Sequence, residues 1–305
     1  MADAATDAAS AAPTATAADV ASPEPAAAAA ATSAEQDPPA FCKHCIEGYI
    51  WQGVTTGTEV TVAGLPTYFA AAPQPTNKAV VVVHDALSFD LPNTRMICDV
   101  IAKDGGFNVY MPDLFKGDRM GPPEKFDGLM NKEPTLTGKL TQAVRIVAAI
   151  PASLSFFSRH GPKETMPLLD AVIADLRASH GVEHLGAVGY CWGGRFSAML
   201  GAQGKVSAFV AAHPSNLALP ADLAGVGDNC KAALFIVAEN DMVLPLRSVE
   251  RIRGILAAQK AVHEVKLFKD MIHGFAVRGL DLDDKVRKAR DEALVDTVKW
   301  LRAHV

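Results

Sequence analysis

From Thr58 onward the chain alternates short apolar runs with stretches in which apolar residues recur at helical spacing. "TEVTV" at 58–62 and "PTYFAA" at 66–71 predict a pair of strands joined at "AGLP". "AVVVVH" at 79–84 is apolar without alternation, as expected of a strand buried on both faces. After it the pattern predicts a helix through "NTRMICDVIAKDGG", a strand at "NVYMPD", helical stretches between about 136 and 179, and a strand at "LGAVGY". A helix at "WGGRFSAMLGAQ" follows, then strands at "VSAFVAAH" and "AALFIVAE", a helix at "LRSVERIRGILAAQ", a strand at "EVKLF" and a last amphipathic helix from about Asp284. Repeated alternation of strand and helix argues for one α/β domain around a mostly parallel sheet, with helices on both of its faces.

Residues 1–40 break this pattern. They form an Ala/Pro/Thr/Ser tract with no Leu, Ile or Phe, interrupted by Pro13, Pro23, Pro25, Pro38 and Pro39, and cannot bury enough apolar surface to offset chain entropy. They are expected to be a disordered leader, with the folded domain occupying 41–305.

Composition narrows the function classes. A net charge of −5 and a pI near 6.0, with no clustered Lys and Arg, give no electrostatic footprint for nucleic acid. No apolar run is long enough for a membrane span, and the leader has neither the basic start nor the apolar stretch of a signal peptide. Five cysteines, an odd and sparse set, fit a reducing compartment, so the cytoplasm is the expected location. Cys42-Lys43-His44-Cys45 has half the spacing of a zinc site, but no second pair follows; a free or disulfide-bonded surface pair is expected, and no metal.

Ligands of open parallel sheets bind beyond the carboxyl ends of the strands, so the residues there carry the candidate chemistry. After "LGAVGY" comes Gly189-Tyr190-Cys191-Trp192-Gly193, the spacing of a nucleophile elbow with Cys in place of Ser. The two glycines sit where a β-carbon would collide in so tight a turn. A helix N-terminus behind Cys191 favours the thiolate, and the Trp192 N–H is placed to hold an oxyanion. Asp241 follows "AALFIVAE" and His273 follows the last strand, so the order nucleophile, acid, base is that of an α/β-hydrolase. Singly, each has a plainer explanation: a buried structural cysteine, a helix cap for Asp241, one satisfied histidine among nine for His273. Their common position at strand ends favours the triad. Asp85 and Ala86 follow the apolar strand at 79–84, where the Ala86 N–H is expected to supply a second oxyanion donor; His213, at the end of "VSAFVAAH", either lines the pocket or caps a loop, and the loop reading is favoured.

These residues resemble the dienelactone hydrolase family, whose type member is carboxymethylenebutenolidase. The resemblance runs from about Thr58 to the C-terminus and rests on "LPNTR" at 91–95, "VYMPDLFKGD" at 109–118, "GYCWGG" at 189–194, "AENDMVLP" at 238–245 and "HGF" at 273–275. The segment beginning "CKHCIEGYIWQGVTTGTEV" looks most like fungal members. The resemblance implies Cys191 as nucleophile, Asp241 as acid, His273 as base, and a carboxylate at Asp85 that contacts the resting thiol and helps ionise it when substrate arrives. The family's type sequence has Glu at that position followed by "IFG", where this chain has Asp85 and Ala86-Leu87-Ser88. It also implies Arg278 as a holder of the substrate carboxylate, with no metal or organic cofactor.

The expected activity is hydrolysis of a small activated lactone or ester. A thiolate leaves more readily than an alkoxide, so the tetrahedral intermediate reverts unless the other leaving group is good, and enol lactones and thioesters meet that condition. The rivals are a hydrolase of another ester or thioester on the same scaffold, and a non-catalytic binding protein. A glutamine-amidotransferase-like elbow would place a Glu two residues after its histidine, where this chain has Phe275. The sequence assigns no oligomeric state.

Overall fold

The computed structural model describes residues 51, 53–87, 89–119, 154–278 and 283–305, with isolated positions at 135, 137, 138, 141 and 144. The leader, the Cys42 and Cys45 pair and most of the helical stretch expected between 136 and 153 lie outside the described residues.

Strands β1 (Thr58–Val62) and β2 (Leu65–Ala70) form the expected hairpin. Then follow β3 (Lys78–Val83), helix α1 (Pro92–Gly105), β4 (Asn108–Pro112), a helical segment at 154–159 and α2 (Pro162–Ser179). The second half contains β5 (His184–Tyr190), α3 (Trp192–Ala202), β6 (Ala208–Ala212), the single turn α4 (Val226–Asn229) and β7 (Ala232–Asn240). It closes with α5 (Leu246–Ala258), β8 (His263–Ile272), the short α6 (Phe275–Arg278) and α7 (Asp284–His304). The eight strands make one sheet in the order β1-β2-β4-β3-β5-β6-β7-β8. β2 runs antiparallel to β1 and β4, and every pairing from β4 to β8 is parallel.

The continuous apolar runs are explained by two cores, one on each face. Val81, Val83, Ala187, Phe209, Phe235 and Val237 pack with Leu169, Val172, Phe196 and Ile252 from α2, α3 and α5. Val80, Val82, Val188, Val210, Leu234 and Ile236 point the opposite way and meet Ile97 and Ile101 of α1 and Leu301 of α7. Because side chains alternate across a strand, a one-residue slip would exchange the two sets and misplace every residue at the strand ends.

Helix termini follow local chemistry. Pro92 opens α1, and Gly106 closes it at φ 77, its N–H bonded to Ala102 O at 3.0 Å. Asp283 caps α7 by accepting from the N–H groups of Lys285 and Val286. Among the described residues no helix is long and apolar enough to cross a membrane.

The main departure from the sequence pattern is β8, which extends beyond "EVKLF" to Ile272. Between the pairs Ala238↔Phe268 and Asn240↔Ile272, β7 advances two residues while β8 advances four. The bulge contains Asp270 at φ 60, and its N–H is bonded to Glu239 Oε2 at 2.9 Å. It brings the end of β8 level with the end of β7, which decides where His273 stands relative to Asp241.

Candidate active site

Parallel strands deliver His84 and Asp85, Cys191, His213, Asp241 and His273 to the same edge of the sheet, each directly after β3, β5, β6, β7 and β8. Cys191 forms the turn between β5 and α3 with φ 53 and ψ −111, a conformation that non-glycine residues adopt only where surrounding structure imposes it. The imposing groups are backbone. Cys191 N–H donates to Ala212 O at 3.0 Å, and Cys191 O accepts from Ser215 N–H at 2.9 Å. The turn tolerates no side chain at its flanks: a β-carbon on Gly189 would lie 2.1 Å from Gly193 O, and one on Gly193 would lie 2.0 Å from Val83 O. The first turn of α3 therefore lies against the exit of β3, beside Asp85 and Ala86. We expect Gly193→Ala to cost about 3 kcal/mol of stability by overpacking against backbone that cannot yield, read as a lowered urea midpoint at unchanged m-value.

Cys191, His273 and Asp241 form one hydrogen-bonded chain, all three nearly fully buried. His273 Nε2 lies 3.1 Å from Cys191 Sγ, and His273 Nδ1 lies 2.8 Å from Asp241 Oδ2. The other Asp241 oxygen accepts from the N–H groups of Val243 and Leu244 at 2.8 and 2.9 Å. Asp241 thus closes a tight turn with one oxygen and meets the imidazole with the other. It does not cap α5, whose first residue is Leu246 behind Pro245.

Burial opposes ionisation of the Cys191 thiol most strongly, but the charge and hydrogen bond of His273 and the charge of Arg278 outweigh it, holding the thiol below its ordinary value; the Asp85 charge works against them. Burial likewise opposes the charged imidazole, yet the Cys191 charge and the Asp241 hydrogen bond push His273 up to about 9. Both displacements favour a thiolate–imidazolium pair near neutral pH.

Asp85 and Arg278, expected in separate roles, stand as one ion pair. Arg278 Nε is 2.9 Å from Asp85 Oδ2, and Asp85 Oδ1 accepts from Leu87 N–H at 2.8 Å. Gly274, at φ 88, makes room for the pair, since a β-carbon there would lie 2.8 Å from Arg278 Nη2. Trp192 begins α3, and its indole N–H donates to His160 O at 3.0 Å while its ring meets those of Phe115 and His84.

His213 corrects the loop-cap reading. It is fully buried, its ring stands edge-on to that of His273 with centroids 5.2 Å apart, and neither ring nitrogen has a hydrogen-bond partner among the described residues. Burial, and after it the charges of His273 and Arg278, hold it well below the ordinary histidine value, so it stays neutral. Ser215, two residues further on, was not signalled by the sequence at all: a serine in a loop has many ordinary uses, and only the fold brings it to Cys191.

Sheet order, two covered faces and the strained strand-to-helix turn after β5 define the class, an α/β-hydrolase. The model of the dienelactone hydrolase family matches residues 65–305, and the chain belongs to that family; it is a carboxylic ester hydrolase acting on a small molecule. Hydrolase pyvD of Aspergillus violaceofuscus is 27% identical over 88% of this chain and 98% of its own length. The mouse carboxymethylenebutenolidase homolog is 30% identical over 82% and 91% respectively. A solved structure from Klebsiella pneumoniae, described as a dienelactone hydrolase, shares the fold at a TM-score of 0.58 and 19% identity, covering 82% of this chain and 99% of that one.

Proposed function

We propose that the protein opens an activated, enol-type lactone or ester by nucleophilic catalysis at Cys191, with His273 as general base and acid and Asp241 as the group that orients it. The observation that carries this reading is the unbroken chain from Cys191 Sγ through both nitrogens of His273 to Asp241 Oδ2. The thiolate attacks the carbonyl carbon, and the oxygen takes up charge between the backbone N–H groups of Trp192 and Ala86. Collapse breaks the bond to the leaving oxygen, which receives the His273 proton, leaving an acyl-thioester on Cys191. Water then attacks while His273 takes its proton, and the C–S bond breaks to release the acid and restore the pair. An enol oxygen leaves more readily than an alkoxide, departs with the His273 proton and then ketonises, which draws the step forward and is why this substrate class suits a sulfur nucleophile.

Arg278 would hold a carboxylate on the substrate, exchanging Asp85 for it. Asp85, released from its partner, would then accept the proton of any Cys191 still present as thiol, the one way in which a carboxylate whose charge opposes the thiolate can assist its formation. This role has a test with a clear sign. Because the Asp85 charge opposes the thiolate at rest, Asp85→Asn should lower the pH midpoint of Cys191 alkylation by iodoacetamide, while slowing turnover if the carboxylate assists the reaction. Unchanged turnover would remove the gating role.

We take the folded catalytic domain to be 41–305, after the Ala/Pro-rich leader, and the cytoplasm as the proposed location, on the sparse and odd cysteine count of the sequence. The deciding experiment follows a dienelactone by loss of its ultraviolet absorbance, with iodoacetamide labelling of Cys191 in parallel. Rapid turnover supports the reading in full. Fast labelling at neutral pH without turnover transfers the reading to another ester or thioester, and sluggish labelling overturns it in favour of a binding scaffold.

A further inference from the structure

We propose that the Ser215 hydroxyl is a catalytic hydrogen-bond donor to the Cys191 sulfur, stabilising the thiolate both before attack and as it departs from the acyl-enzyme; this rests on Cys191 being the nucleophile. Ser215 Oγ lies 3.7 Å from Cys191 Sγ, within reach of a hydrogen bond to sulfur, and among the described residues it has no other hydrogen-bond partner. Ser215 is 5% exposed. Water therefore does not compete freely for the hydroxyl.

The geometry is built by three consecutive residues leaving β6. His213 packs its ring on His273. Pro214 lies against the elbow, so close that a β-carbon on Gly194 would come within 2.8 Å of its Cβ. Ser215 donates its N–H to Cys191 O at 2.9 Å, while Ala212 O accepts from Cys191 N–H at 3.0 Å. The two backbone bonds bracket the nucleophile and hold the Ser215 backbone beside it, so that rotation of its own side chain aims the hydroxyl at the sulfur.

A thiolate only accepts hydrogen bonds, so beside the ionised sulfur the hydroxyl must donate. His273 and Ser215 then supply two donors from different elements. The groups that set the charge of the sulfur are His273 after β8, Arg278 on α6 and Asp85 after β3, with neutral His213 behind His273; Ser215 adds a donor without adding charge. When Sγ bonds to the acyl carbon its charge disappears and the Ser215 bond weakens. During deacylation the water oxygen bonds to the acyl carbon, its proton passes to His273, and the C–S electron pair returns to Sγ, where the Ser215 hydroxyl meets it again. The group that lowers the thiol's pKa thus also improves sulfur as a leaving group in the second half of the cycle.

The test measures Cys191 alkylation by iodoacetamide against pH, with the labelled residue identified by peptide mass spectrometry, in the full chain and in Ser215→Ala, Ser215→Gly and Ser215→Thr. Both hydroxyl deletions keep the backbone N–H that pins the Cys191 carbonyl, and thermal melting identifies those that fold. Either folded deletion should raise the alkylation midpoint by roughly half to one pH unit. It should also accumulate acyl-Cys191 during turnover of 4-nitrophenyl acetate, and Ser215→Thr should restore both toward wild type. A folded deletion with the wild-type midpoint overturns the Ser215 assignment alone. A wild-type midpoint at the ordinary thiol value overturns the nucleophile assignment beneath it.

Discussion

Cys191→Ala should reduce turnover of an activated lactone by at least about a thousandfold, to what the oxyanion donors and substrate binding sustain by themselves. The substitution removes only Sγ, since alanine keeps the β-carbon and hence the strained turn at φ 53. Fold and melting temperature should therefore survive, and loss of rate reports the chemistry. Cys191→Ser should lie near the alanine variant. A serine hydroxyl is far less acidic than a thiol, so the charge of His273 and Arg278 that holds the cysteine low cannot ionise it. The shorter C–O bond also draws the nucleophilic atom back from a carbonyl positioned for sulfur. Steady-state rates on one dienelactone, with melting curves for all three proteins, decide the matter; an alanine variant retaining a tenth or more of the activity would overturn the nucleophile.

Asp241→Asn should lower kcat/KM by about 10³-fold or more while leaving the fold intact. The asparagine oxygen can still accept from the N–H groups of Val243 and Leu244, which Asp241 Oδ1 now holds. The amide –NH₂ then faces His273 Nδ1, where Asp241 Oδ2 stands at 2.8 Å. An amide donor there requires Nδ1 to be the acceptor and places the imidazole proton on Nε2, facing the sulfur, in the tautomer that cannot take a proton from thiol or water.

The pH dependence follows with its sign. In the wild type the thiol is held low and His273 is raised to about 9, so the thiolate–imidazolium pair fills the interval between and its basic limb lies near the upper value. Removing the Asp241 charge lowers the His273 value and weakens the thiolate in turn. The interval narrows from both sides, moving the basic limb of kcat/KM to lower pH and the midpoint of alkylation to higher pH. Profiles superimposable on wild type, with kcat/KM reduced by less than about threefold, would show that Asp241 does not orient the imidazole.

The strands, their order along the chain and the catalytic candidates were legible because each rests on local constraints. A run such as "AVVVVH" is apolar on both faces only if both are covered, and Gly189 and Gly193 flank a residue that turns from strand to helix. Cys191, Asp241 and His273 could be found because a parallel sheet sends every such residue to one edge.

What the sequence concealed depends on distances across that edge. Asp85 and Arg278 were assigned separate tasks because nothing in the order of residues says that a residue after β3 will pair with one on α6. His213 had the same strand-end position as the triad, but its burial and its contact with His273 arise from packing on several sides at once. Ser215 left no trace in the pattern, and the bulge in β8 that lifts His273 to Asp241 replaces the alternation from which a strand's extent is inferred.

The sequence by itself determined the α/β architecture, the cysteine turn between strand and helix and the candidates proposed as its acid and base, because backbone sterics and hydrophobic periodicity act over a few residues. The tertiary structure alone decided which groups hold the thiol below its ordinary value, the pairing of Asp85 with Arg278 and the approach of Ser215 to the sulfur. Charge interaction and hydrogen bonding depend on separations in space, and those exist only once the sheet has brought its strand ends together.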